Sequence, residues 1–149
     1  MNSDLKFMRA ALKEAAKAEK LNEVPIGAII VFGGKIIARG HNLRETTKDP
    51  LGHAEMMAIK KASKKLGEWR LIETIIYVTL EPCPMCAGAI LNSRIPRIVF
   101  GAKDPKGGAL GSSFNLFEQP NLNHRPQIVG GVLEAECSLI LKEFFKNKR

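Results

Sequence analysis

Apolar positions follow two different periods along the chain, and the alternation between them lays out the elements. Leu5, Met8, Leu12, Ala15 and Ala16 recur at helical spacing, with Ser3 or Asp4 placed to cap, which predicts an opening helix over about residues 4–20. The runs "PIGAIIVF" and "KIIARGHN" are apolar and β-branched, and Gly33-Gly34 between them can take the positive φ of a tight turn, so they read as a two-strand hairpin. From His53 to Leu66 the helical period returns, with Ala54, Met57, Ala58, Ala62 and Leu66 inward and Lys60, Lys61, Lys64 and Lys65 toward solvent. "TIIYVTL" is then a buried strand, "CAGAILNS" a closely packed helix of small and apolar residues, and "RIVFGA" a further strand. A right-handed crossover makes these last two strands parallel.

Between Ala102 and Pro126 the chain is rich in Gly, Pro and Asn, with at most a short helix near "SSFNLFE". A connection this long marks a lid or binding loop. A short strand at "QIVGG" and a closing helix from about Leu133 to Asn147 complete the expected architecture, a three-layer α/β/α sandwich with a mixed five-stranded sheet, in one domain over residues 1–149.

Composition supports a self-sufficient core. A chain of 149 residues removes about 70% of its unfolded surface from water on folding, without disulfide staples. Its 45% hydrophobic and 26% charged residues exclude a disordered or fibrous chain. No apolar run approaches the roughly 20 residues of a membrane helix, and the charged, amphipathic start is unlike a signal peptide, so a cytoplasmic protein is expected. Charge changes the picture more. A net charge of +8 and a pI near 9.6 point to a polyanionic partner, nucleic acid before membrane, with a merely soluble basic surface as the alternative.

The chemistry gathers at "LEPCPMC". Cys83 and Cys86 fall in a first helical turn, where Pro82 and Pro84 are tolerated because the amide hydrogens there have no intrahelical partner. Spacing of three puts both sulfurs on one face, and the positive helix end favours thiolates, which leaves redox chemistry and zinc binding both open. One β-α unit upstream, His53 in "HAEMMAI" opens another helix. With the two helices side by side, His53, Cys83 and Cys86 converge on one tetrahedral zinc whose fourth position stays open, the arrangement of catalytic sites. Glu55, two residues past His53, is off the ligand face and placed to carry protons for a bound water. A closed structural site would need Cys137, His41 or His124 as fourth ligand. Cys137 reads instead as a core residue, and both histidines as structural.

His-x-Glu followed by Pro-Cys-x-x-Cys is the signature of zinc-dependent nucleoside and nucleobase deaminases, the cytidine and deoxycytidylate deaminase superfamily. Over nearly its whole length the chain resembles the bacterial tRNA adenosine deaminases of that superfamily, through "VPIGAIIV", "GHN", "HAEMMAI", "RLIETIIYVTLEPCPMCAGAI", "SRIPRIVFGAKDPKGGALGS", "NHR" and "FFKNKR". Two positions depart from the pattern: Met56, where a branched aliphatic is commoner, and Pro84, which also occurs in guanine deaminases.

The resemblance implies a cytidine deaminase-like fold and hydrolysis of adenosine to inosine at the wobble position of a tRNA anticodon stem-loop. It implies one zinc per subunit, with Glu55 as proton shuttle, and a homodimer. It also implies substrate-binding roles for Asn42 and Ile26 at the target nucleotide, for Asp104, Lys106 and Asn123 beside it, and for Phe144, Phe145 and Arg149 along the RNA groove. A small-molecule deaminase of guanine, cytosine or a nucleoside would share the zinc site but have no use for the basic surface. A non-catalytic zinc or thiol-redox RNA-binding module would have no use for Glu55.

Overall fold

The structure, a computed structural model, describes residues 2–148. A helix α1 (Asn2–Lys20) leads into the hairpin β1 (Gly27–Phe32) and β2 (Lys35–His41), with Gly33 and Gly34 at φ of 58° and 76° in the turn. These positive values suit glycine, and they match the right-handed twist of the flanking strands. One short helical turn, α2 (Arg44–Thr47), precedes α3 (Ala54–Leu66). Then follow β3 (Thr74–Leu80), α4 (Pro84–Asn92), β4 (Arg97–Ala102), a single 3-10 turn at Leu116–Glu118, β5 (Gln127–Val129) and α5 (Glu134–Asn147).

The five strands lie in the order β2-β1-β3-β4-β5. β1 runs antiparallel to both its neighbours, whereas β3, β4 and β5 are parallel, which makes the sheet mixed as expected. Alternate strand residues face opposite layers. Ala28, Ile30, Ile76, Val78, Ile98 and Phe100 pack with α3 and α4 through Ala54, Ala58, Ala62 and Ile90. Ile29, Val31, Tyr77 and Val99 pack on the other side with α1 and α5, through Phe7, Met8, Ala11 and Cys137. The sandwich therefore has α3 and α4 on one face and α1 and α5 on the other.

Two helices come unusually close to the hairpin. A Cβ added at Gly27 would lie 2.1 Å from the Ala11 carbonyl oxygen of α1, and one at Gly40 would lie 2.4 Å from the Ala54 carbonyl oxygen of α3. On the outer side of β2, Lys61 Nζ donates to the Arg39 carbonyl at 2.9 Å, beside the exposed Lys35 and Arg39 side chains.

The buried face of α1 differs from the expected one. Leu5 is 38% exposed, while Asp4, Phe7, Met8, Ala11, Glu14 and Ala15 point inward. Apolarity alone misplaces this face because two of its inner positions are acids with non-local partners. Asp4 is no cap: it accepts two hydrogen bonds from Arg97, at 2.9 and 2.7 Å, and one from the Tyr77 hydroxyl at 2.6 Å. Glu14 faces His41 Nδ1 at 3.0 Å and accepts from Lys17 at 2.6 Å. His41 thus serves the fold. So does Cys137, buried against Gly101, and so does His124, whose Nε2 lies 2.9 Å from the Ile95 carbonyl oxygen.

The Arg97 guanidinium holds the Asp4 carboxyl well below the usual carboxylate range, at about 2. Because the folded value lies below the unfolded one, the pairing stabilises the fold fully above pH ~4 and is lost as pH falls through ~2. The Asp4 side chain is only 11% exposed, so the shift corresponds to about 2 kcal/mol. Denaturant melts from about pH 5 to about pH 2 should therefore show the wild type losing about 2 kcal/mol more than Asp4→Asn. Parallel losses would mean that α1 is not tied to the sheet through this pair.

Candidate active site

Strand ends β2 and β3 each deliver a helix N-terminus to the same place. His53 is the N-cap of α3 and Cys83 the N-cap of α4, both with extended backbone (φ −82°, ψ 154° and φ −73°, ψ 173°), and neither side chain caps its own helix. Both are thus free to point at a common centre. Pro84 in the first turn of α4 costs no hydrogen bond and fixes φ next to Cys83. Cys86 follows one turn on.

His53 Nδ1 lies 3.6 Å from Cys83 Sγ and 3.5 Å from Cys86 Sγ. A tetrahedral zinc with Zn–N of about 2.0–2.1 Å and Zn–S of about 2.3 Å has an N···S edge of about 3.6 Å, so both N···S edges here match that metal. Among the described residues this is the single group of three such donors. Cys137 lies in the opposite layer and supplies no fourth ligand.

Electrostatics at the site favour one thiolate, on Cys83. The hydrogen bond from Cys86, helped by His53, draws the Cys83 thiol down to about 4, and Cys86, holding the shared proton, is pushed up. His53 is raised in turn by its contact with the Cys83 sulfur. Glu55 is 4% exposed in the first turn of α3, and burial pushes its carboxyl up to about 7 before any cation draws it back. A carboxyl near neutrality can both take and give a proton.

The donors open on a cavity of about 550 Å³, within the usual size range of small-molecule sites. Buried Glu55 and Asn42 lie deep in it, Ile26 and Leu80 form apolar wall, and the exposed cations Arg44, Lys103 and Lys106 rim it. Asp104 and Phe145 also line it. Asn42 is held at both ends: Nδ2 donates to the Val24 carbonyl at 3.3 Å, and Oδ1 accepts from the Arg44 amide at 3.2 Å.

Two of the expected positions, Asn123 and Phe144, lie elsewhere. Asn123 is exposed beside a separate shallow hollow lined by Arg94 and Asn121. Phe144 is 8% exposed and turned inward, with its ring edge against the 48% exposed Phe145. Arg149 lies outside the described residues.

Sequence patterns did not single out Val24, Arg44, Glu81, Lys103 or Leu141, all of which line the cavity. Leu141 stands one helical turn before Phe145, and that spacing was the available signal. Nor was there a sequence signal for two buried glutamates that hold the walls. Glu23 accepts from the Glu45 amide at 3.2 Å and from the Thr46 amide and hydroxyl at 2.5 and 2.6 Å, which fastens α2 beside Asn42. Glu81 binds the loop after β4.

A profile for MafB19-like deaminases matches residues 2–149. The chain is 54% identical over 149 residues to the tRNA-specific adenosine deaminase of Bacillus subtilis (strain 168), covering 100% of this chain and 92% of that one. It is 49% identical over 147 residues to the enzyme of the same name from Haemophilus influenzae, covering 98% and 85%. A solved structure described for A-to-I editing by tRNA:A34 deaminases at the wobble position of transfer RNA superposes with a TM-score of 0.88 at 46% identity, covering 91% of this chain and 99% of that one. With its paired helix caps, three donors and buried glutamate in the same fold, the chain belongs to the MafB19-like deaminases, in the group of bacterial tRNA-specific adenosine deaminases.

Proposed function

We propose that this chain converts the wobble adenosine of a tRNA anticodon stem-loop to inosine, releasing ammonia, with one zinc per subunit held by His53, Cys83 and Cys86. The observation that carries the chemistry is the donor triangle with buried Glu55 beside it, deep in a cavity rimmed by cations. The choice of substrate is supported by the identity to tRNA-specific adenosine deaminases. Bound zinc would supply Lewis acidity, lowering the pKa of water toward neutrality.

The protein's own groups do the rest. Glu55 accepts the proton of the attacking water, delivers it to ring nitrogen 1 of the adenine, and then carries the second proton to the departing amine. Burial suits Glu55 to this exchange by keeping its protonated and ionised forms close in energy. Asn42, fixed by Val24 and Arg44, has one amide hydrogen and one lone pair left to hold the nucleotide. Ile26 packs against the base. Lys106, Asp104 and Phe145 take the flanking nucleotides by charge, hydrogen bond and stacking. Phe144 braces the Phe145 ring from below.

We further infer a cytoplasmic homodimer. No helix of the described residues is long and apolar enough to cross a membrane, and the family resemblance supports the dimer. A groove shaped by two subunits would also give Asn123 a place beside RNA that the cavity of one chain does not, and the family resemblance gives Arg149 a role along it.

Incubating the zinc form with an anticodon stem-loop carrying adenosine at the wobble position, beside free guanine, adenosine and cytidine, tests this directly. Inosine should form from the RNA alone, and RNA binding should weaken steeply between about 50 and 200 mM salt. Turnover of a free base with the stem-loop untouched would move the chain to the small-molecule deaminases.

A further inference from the structure

Two residues before Cys83 stands a carboxylate with no part in the chemistry above. Glu81 is 2% exposed, and its own amide donates to the Ala102 carbonyl at 2.8 Å, which locks the end of β3 to the end of β4. Its side chain reaches into the loop that leaves β4. Oε1 accepts from the Asp104 amide at 3.2 Å and, by a short bond, from the Ser112 hydroxyl, while Oε2 accepts from the Leu110 and Ser112 amides at 2.9 and 3.1 Å. Four donors from one loop thus saturate both oxygens. Next to them the Ala109 amide donates to the Pro82 carbonyl at 2.9 Å.

The loop is shaped to receive this carboxylate. A Cβ at Gly108 would lie 2.4 Å from Glu81 Cδ, so only glycine admits the contact. Asp104, fastened through its amide, turns its own Oδ1 back to accept from the Lys106 and Gly107 amides at 3.2 and 3.1 Å. The segment that brings Lys103, Asp104 and Lys106 to the cavity therefore has its conformation set by one buried side chain just past the strand that leads to the metal donors.

We propose that Glu81 is a positioning residue, which holds the substrate-contacting loop in register with the metal centre and thereby sets RNA affinity rather than the rate of the chemical step. This rests on the proposed function for the identity of the substrate. Gln at this position has the same shape but offers one acceptor oxygen and two hydrogens to four donors, so some loop amides lose their partner.

The test measures Glu81→Gln and Ser112→Ala against the wild-type zinc enzyme, by steady-state kinetics on the wobble-adenosine stem-loop, zinc per chain, and amide exchange of residues 104–112. Glu81→Gln should raise KM roughly ten- to hundredfold, keep kcat within about threefold, retain zinc, and speed exchange in the loop. Ser112→Ala should shift KM the same way by about two- to fivefold, and serves if Glu81→Gln does not fold. Loss of zinc or of kcat at unchanged KM would overturn the proposal, and so would unchanged loop exchange. The exchange measurement needs no RNA, so a wild type inactive on the stem-loop would refute the substrate while leaving the test of Glu81 intact.

Discussion

Glu55→Gln is expected to lower kcat on the wobble-adenosine stem-loop by about 10²–10⁴-fold while one zinc per chain is retained. Glutamine keeps the volume and polarity of a side chain that is 4% exposed, so packing in the first turn of α3 survives. What disappears is a group able to accept and release a proton. His53, Cys83 and Cys86 are untouched, and glutamine can still hydrogen-bond Cys86 as Glu55 does.

A second consequence separates a catalytic from a structural role. Burial raises the Glu55 carboxyl to about 7, above its unfolded value. Stability from the protonated form is therefore full below the unfolded pKa and is lost as pH rises through the folded one. In the metal-free protein at about pH 8, Glu55→Gln should accordingly be more stable than the wild type, by about 1–3 kcal/mol. An inactive yet more stable variant is the signature of a residue kept for chemistry. Full activity in Glu55→Gln, or loss of zinc with it, would remove Glu55 from the proposed mechanism.

Gly40→Ala is the larger structural test. The added methyl would sit 2.4 Å from the Ala54 carbonyl oxygen and 2.8 Å from the Ala58 amide nitrogen, both backbone atoms of α3. Backbone cannot swing aside as a flexible side chain can, so α3 must back away from β2, carrying His53 and Glu55 with it. The expected cost is about 1–3 kcal/mol in stability, with about a hundredfold loss of kcat from misplacement of order 1 Å. Zinc affinity should fall in parallel, because His53 leaves the two sulfurs on α4 behind.

Gly27→Ala supplies the control. It presses on α1 just as tightly, at 2.1 Å from the Ala11 carbonyl oxygen, but α1 carries no metal donor. Both variants should unfold at lower denaturant, and only Gly40→Ala should lose zinc. Equal zinc binding in the two would mean that the donors tolerate movement of α3.

What was legible in the sequence was whatever depends on local periodicity and caps. The order of elements, the Gly33-Gly34 turn and the mixed sheet follow from alternation, from spacing and from residues suited to one backbone region. His53 and Cys83 were visible as residues opening helices, and because β2 and β3 both run antiparallel to the β1 between them, the two helices that follow start at the same end of the sheet. Several of the failures share one cause. Asp4, Glu14, Glu23 and Glu81 are carboxylates satisfied by partners far along the chain, and periodicity carries no record of such pairs. Asp4 and Glu14 turned the inner face of α1 away from Leu5. Glu23 made a helical turn at Arg44–Thr47 where apolar pattern is absent. Phe144 and Phe145 were adjacent aromatics of one helix, and packing against the rest of the chain decided which of them faced the cavity.

The outer margins of the sheet carry a consequence for concentrated protein. An open edge strand is a template on which another copy can add, and that is how soluble β-proteins aggregate. Here one margin is β5, only three residues long, and the other is β2, where exposed Lys35 and Arg39 set positive charge along the row and the Lys61 ammonium occupies the Arg39 carbonyl. A second chain approaching β2 in register would meet like charge and an acceptor already taken. Self-association by edge-to-edge strand addition is thereby discouraged, which leaves helix and loop surfaces as the ones through which copies can meet without growing into fibres.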